Sequence, residues 1–365
     1  MTPSTPAPRS AEAGFSLLEL LIAMTLLTVV MGATLGGLSD IMKGNETVMM
    51  ISSANSTLRG GMDIMVRDLL QAGSGLPASH GVSIPSGAGS SAVRLPGPPG
   101  TAFVTANTDL MLPAVMPHAR QGPTVDGVQT DVIGMLMADN AFLNVGLSGV
   151  TDTSATIAAG PTLDTGPDRV TAGQLMMIQK GSFSTLVQVT SVDYSSRLLR
   201  FDDGDSLNLN QSGAAAGSLA ALNGEAPINS AAATMISRVR LITYYIDNTL
   251  NAERPRLVRR VNNGDPMTFD NTLGTAVAFD VPDLQLTYDI NNGDTNPAGV
   301  EMLQADLDGS GACSPDPCGP TLVRKVNVEA TARSMNRLPP SNHFFTNTLK
   351  SQVSLRGMTF VDRYR

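Results

Sequence analysis

The chain has 365 residues, no tryptophan, 4% aromatic and 15% charged residues, and a formal net charge of −8. That length exceeds what one small core needs, and the acidic balance argues against nonspecific nucleic-acid binding through a basic patch. Abundant Gly, Ala, Ser and Thr point to an exported, β-rich domain with long loops rather than a compact cytosolic enzyme.

Residues 1–14 are proline-rich, with Arg9 and Glu12 as their only charges, and lead into Gly14-Phe15-Ser16-Leu17-Leu18-Glu19. No charged residue occurs from Leu20 to Ser39. A helix of that length, at ~1.5 Å rise per residue, spans a bilayer core. Glu19 stands at the start of the apolar run. A carboxylate is costly in hydrocarbon, so it marks a functional position that needs a partner. A secretory signal peptide has a shorter apolar core followed by an Ala-x-Ala-like site, and no such site ends this run.

These residues resemble the processing site of type IV prepilins and type II secretion pseudopilins. The resemblance implies cleavage by a prepilin peptidase between Gly14 and Phe15 and N-methylation of Phe15. It gives Glu19, the fifth mature residue, the task of pairing with the N-terminal amine of a neighbouring subunit. Two charges that are each costly in lipid offset one another when docked. The leader departs from the family in being less basic than usual, so its positive-inside signal rests on Arg9 and the amino terminus.

No proline interrupts residues 9–76, and Leu58, Met62, Met65, Val66 and Leu69 recur at helical spacing. One long helix is therefore expected over 15–72, with 15–39 in the membrane or filament core, a loosening near Gly44-Asn45 and a stop at Gly73. Arg59, Asp63 and Arg67 are spaced for weak i, i+4 pairing. Gly32 and Gly36 permit close packing on another helix, a point where the helix stretches, or an ordinary small-residue patch. Arg67-Asp68-Leu69-Leu70-Gln71-Ala72-Gly73 resembles the end of this helix in the PilW-like group of large minor pilins.

Beyond the helix, 73–365 is expected to form one β-rich head. Residues 73–122 read as irregular loop without a core of their own. Strands are expected at 131–137, 174–179, 186–192 and 197–201, with turns at Gly181-Ser182 and Tyr194-Ser195-Ser196. Residues 205–230 read as another loop. The clearest strands follow at 235–246, 256–261, 281–289, 323–331 and 351–360. Leu284, Leu286 and Tyr288 fall on one face, as do Val326, Val328 and Ala330. Asn262–Asp265 and Asn291–Asp294 read as hairpin turns. The strand order, with Asp283-Leu284-Gln285 and Tyr288, again resembles PilW-like proteins.

No catalytic motif is evident, and the chain reads as a non-enzyme. His80, His118 and His343 each read as solvated loop residues. Cys313 and Cys318, five apart in an exported chain, read as a local disulfide; two thiols without further ligands do not make a zinc site. Asp306-Leu307-Asp308-Gly309 resembles the opening of a calcium loop, with Ser310 and Asp316 as further donors. Pro317 stands where the bidentate Glu should be, and an Asp/Gly turn is the simpler reading.

The expectation is an α+β, type IV pilin-like fold. The resemblance implies a minor pilin whose partners are other pilin subunits, the prepilin peptidase and an inner-membrane assembly platform, and which needs no cofactor unless calcium binds. It implies a single-pass inner-membrane protein with a periplasmic head, passing into a surface pilus or periplasmic pseudopilus. The alternatives are a type II secretion pseudopilin, a membrane-tethered binding module or adhesin, and a membrane-anchored hydrolase with a polar cleft near His118 or His343.

Overall fold

A computed structural model describes residues 16–77, 81–99, 103–106, 108–224, 234–262, 274–291, 296–302, 319–338 and 342–358. Helix α1 (Leu17–Gln71) runs unbroken for 55 residues. Gly44-Asn45 does not interrupt it: one glycine costs only about 1 kcal/mol in a helix interior, little against a helix of this length. At the far end Ala72 leaves helical geometry (ψ 132°) and Gly73 takes φ +79°. The Gly73 N–H then donates to Leu136 O at 2.9 Å, which delivers the chain onto the sheet.

The head follows in chain order. Strands β1 (Gly81–Ser83) and β2 (Met111–Pro113) pair with each other. Next come β3 (Val115–His118), β4 (Thr124–Val125), β5 (Val128–Gln129) and β6 (Val132–Ala138). The distal part holds β7 (Val145–Val150), β8 (Ser154–Ile157), β9 (Leu175–Lys180), β10 (Phe183–Gln188), β11 (Ser191–Asp193), β12 (Leu198–Arg200) and the short α2 (Leu219–Gly224). The chain returns through β13 (Met235–Asp247), β14 (Arg256–Val261) and β15 (Thr275–Phe279). It ends in β16 (Asp283–Ile290), β17 (Val323–Arg333) and β18 (Thr346–Ser354).

β13 organises an 11-stranded antiparallel sheet. Along one edge it pairs with β9 and then β14; along the other with β7 and then β6. A second antiparallel sheet has the order β16-β17-β18. Asp131 joins the two sheets. Its N–H donates to Leu284 O at 2.9 Å, and its carboxylate accepts from Leu286 N at 2.7 Å. The layout is α+β, a long N-terminal helix followed by a large antiparallel β region, as a pilin-like fold requires.

Three apolar cores result. The first lies under α1 and takes Leu58, Met65 and Leu69 from the helix, Ile133 and Met135 from β6, Ile242 and Tyr244 from β13, and Leu284, Val326 and Val328 from the second sheet. The second lies on the other face of the large sheet, and the third is distal. Strands β6 and β13 serve both of the first two cores. Ile133, Met135 and Met137 face one and Val132 and Leu136 the other, which is why β6 is apolar throughout.

The expectation of a coreless loop over 73–122 is corrected here. Val82, Ile84, Val93, Leu95, Phe103, Leu112 and Met116 build one wall of the second core. Its strands are three or four residues long and set among Gly and Pro, too short to show a period. The loop expected over 205–230 contains α2, whose Leu219 and Leu222 are buried in the distal core. The run 186–192 divides into β10, which pairs with β9, and β11, which pairs with β12. Strands β7, β8 and β15 carry Gly, Ser, Thr and Ala and escaped the pattern. β18 begins five residues before the expected strand and ends earlier. The turns at 181–182 and 194–196 stand as expected, while residues 263–265 and 292–294 lie outside the described residues.

Candidate functional site

The amino-terminal end of α1 is the first candidate. Ser16 caps the helix, its Oγ accepting from Leu18 N at 3.1 Å, and Glu19 Oε2 accepts from Ser16 N at 3.2 Å. Glu19 thus completes a capping box and lies where the helix dipole favours a negative charge. Its two oxygens carry about four acceptor sites, so this bond leaves room for a cationic partner. Gly14 and Phe15 lie outside the described residues.

From Leu17 to Glu46 every residue of the helix is exposed; partial burial begins at Thr47, and Ala54 is its first fully buried residue. That exposed stretch is roughly 45 Å long at 1.5 Å per residue. Leucines, valines and methionines stand exposed all round it. The three threonine hydroxyls in the apolar run are satisfied within the helix: Thr25 donates to Ile22 O at 2.8 Å, Thr28 to Met24 O at 2.5 Å and Thr34 to Met31 O at 2.9 Å. The run therefore presents few open polar groups to a bilayer or to other helices. A Cβ added at Gly32, Gly36 or Gly37 would meet nothing within 4 Å, so these glycines make no close contact inside the chain.

The second candidate is the joint between α1 and the head. Asp68 Oδ2 accepts from the Tyr244 hydroxyl at 2.6 Å and from Arg259 Nε at 2.6 Å. Burial, with the Asp68 charge beside it, pushes the Tyr244 phenol well up, so it remains a donor. Gly61 brings the helix against β15: a Cβ there would lie 2.8 Å from Ala278 Cβ and 3.2 Å from Val277 O. Asn347 Nδ2 of β18 donates to Asn55 Oδ1 at 2.7 Å. Sequence reasoning used Arg67-Asp68 only as a marker of the helix end. It favoured Arg59, Asp63 and Arg67, yet among the described residues no ion pair joins these three. They face solvent, while Asp68 faces the sheet.

His118 is a further correction. It is the last residue of β3, 2% exposed, with its ring edge-on to Phe103 at 4.7 Å between centroids. Pairing of β3 with β6 carries it inside despite the preceding proline. Burial pushes its pKa down to about 3, and Nδ1 has no hydrogen-bond partner. His343 is exposed, as expected. His80 lies outside the described residues, as do Cys313, Cys318, Asp306, Asp308, Ser310 and Asp316. Among the described residues no three His, Cys, Asp or Glu side chains gather as metal ligands. An open depression of about 370 Å³ on the second sheet is lined by Gln285, Thr287, Asn327 and neighbours, and its Lys350 is paired with Glu329 at 2.7 Å.

Residues 9–35 match the family described as the prokaryotic N-terminal methylation motif. This match supports a prepilin-type amino terminus. The matched segment spans the Gly14-Phe15 junction, the Glu19 cap and most of the apolar run. No curated protein and no solved structure matches the chain. The motif supports a substrate of prepilin peptidase of the pilin or pseudopilin type, a structural subunit rather than an enzyme. Partnership with other pilin subunits and with the peptidase follows in general terms. The exposed apolar helix with a prepilin-type start fits anchoring in the inner membrane.

Proposed function

We propose that the protein is a minor pilin, a structural subunit of a type IV pilus or a related filament. Prepilin peptidase cuts after Gly14, and Phe15 becomes the N-methylated first residue. The span 15–39 anchors the chain in the inner membrane, where an assembly platform receives it, and then packs among the helices of other subunits, with the head, 73–365, on the periplasmic side. Glu19 sets register by pairing with a neighbour's terminal amine. The observation that carries this reading is the joining of a methylation motif to a helix that projects bare from its own head. The large, three-cored head favours a minor over a major subunit. N-terminal sequencing and intact mass of the membrane-expressed chain, with and without a prepilin peptidase, test it. A mature chain starting at methylated Phe15 only when the peptidase is present is the expected result. An uncut chain, or one cut after the apolar run, would make the helix a plain anchor or a signal peptide.

A further inference from the structure

The free edges of the sheets differ sharply in how they are guarded. The outer edge of β16 is sealed by Asp131 and by residues 297–300: Tyr288 and Val300 exchange N–H···O bonds at 2.9 Å, and Ile290 N donates to Pro297 O at 2.9 Å. β3 has four residues and contains Pro117, and β11 has three. β10 is tied to the passing chain by Thr185 Oγ1 donating to Gly217 O at 2.6 Å. β15 lies against α1 at Gly61.

Among the described residues β18 has no such guard. It pairs with β17 in unbroken register from Thr346↔Arg333 to Ser354↔Lys325, and among the described residues no strand pairs with its other edge. That edge is about 30 Å long at 3.3 Å per residue. It carries no proline and no bulge. Three of its polar side chains on the face away from α1 turn back across the sheet. Thr348 bonds Thr331 at 2.8 Å, Lys350 pairs with Glu329 at 2.7 Å, and Gln352 Nε2 donates to Asn327 at 2.9 Å and Asp289 at 3.1 Å. A long, regular, unguarded edge is a template for another strand.

Resting on the minor-pilin reading, we infer that this edge receives an extended strand from the head of a different subunit of the same filament. The edge is continuous with the assembly helix, since Asn347 bonds Asn55 of α1. A subunit packing beside α1 therefore arrives where the edge is open. On the α1 side β18 carries Asn347, Leu349, Ser351 and Val353, with Leu349 half-buried against the first core. The fitting strand alternates apolar residues on that side with polar residues on the other. A second copy of this chain does not fit. An antiparallel β18–β18 pair has its two-fold axis normal to the sheet, which reverses α1 and points the second membrane segment the opposite way.

The test places p-benzoylphenylalanine at Thr346 and at Gln352 of the full chain, with Asp193 on the distal β11 edge as control, and irradiates native filament-forming cells. The expected result is adducts at both β18 positions well above the control, mapping by mass spectrometry to an extended segment of another prepilin-type chain. Adducts to the chain's own residues beyond 358, adducts to a second copy, or yields no higher than the control would each overturn the inference. N-terminal sequencing of the same sample separates the two readings. Methylated Phe15 without a β18 adduct rejects the edge alone, and an unprocessed chain rejects both.

Discussion

Asp68 is where a single side chain fixes the helix to the head. Its partners, Tyr244 and Arg259, lie 176 and 191 positions away, so sequence spacing gave no hint of them. Asp68→Ala leaves a buried hydroxyl and a mostly buried guanidinium unpaired. The expected cost is about 2 kcal/mol, read as a lower denaturation midpoint of the full chain in detergent. His118 offers a second measurement at this scale. The unfolded chain takes up a proton near pH 6.5, and the folded chain does so only near 3. Its contribution is fully present above 6.5 and is lost as pH falls, at about 1.4 kcal/mol per pH unit. Asp131 acts with the opposite sign: burial raises its pKa, and its contribution is lost as pH rises through that raised value. Comparing wild type with His118→Leu isolates the imidazole, and the variant's unfolding free energy should fall less steeply between pH 6 and pH 4.

Among the elements, α1 was legible because its signals are local. The cap, the absence of proline, the periodic apolar face and Gly73 all act within a few residues. The alternating strands β16 and β17 were legible for the same reason, with Leu284, Leu286, Val326 and Val328 buried as the pattern implies. Residues 81–116 were not, because their apolar side chains reach one core only after the chain has folded back on β6. The sequence likewise showed that the helix meets the head, but not where it comes closest. Gly60 and Gly61 separate these effects. A Cβ at Gly61 collides with Ala278 and β15, whereas one at Gly60 meets nothing within 4 Å. Gly61→Leu should therefore destabilise the joint by about 1–3 kcal/mol through overpacking. Gly60→Leu should be neutral or stabilising by up to about 1 kcal/mol from helix propensity. Equal effects in thermal unfolding would remove the close approach as the cause.

At the scale of the whole molecule, the candidate site was legible in position but not in all its bonds. Gly14, Phe15 and Glu19 stand out in the sequence, and the match over 9–35 covers them, yet the bond from Ser16 N–H to Glu19 needed the structure. That bond has Glu19 capping its own helix, a task separable from the pairing with a neighbour's amine that we propose for it. Glu19→Ala removes both. Glu19→Gln keeps an amide oxygen for the Ser16 N–H but removes the charge. The cap alone is worth about 1 kcal/mol on a 55-residue helix already held by the membrane and the head, too little to decide assembly. An uncompensated terminal ammonium in a low-dielectric filament core costs several times more. Both variants should be exported and cut after Gly14, and both should enter filaments poorly, as read by immunoblot of sheared filaments. If Glu19→Gln enters filaments as well as wild type while Glu19→Ala does not, the residue serves its own helix and the register of the filament is set elsewhere.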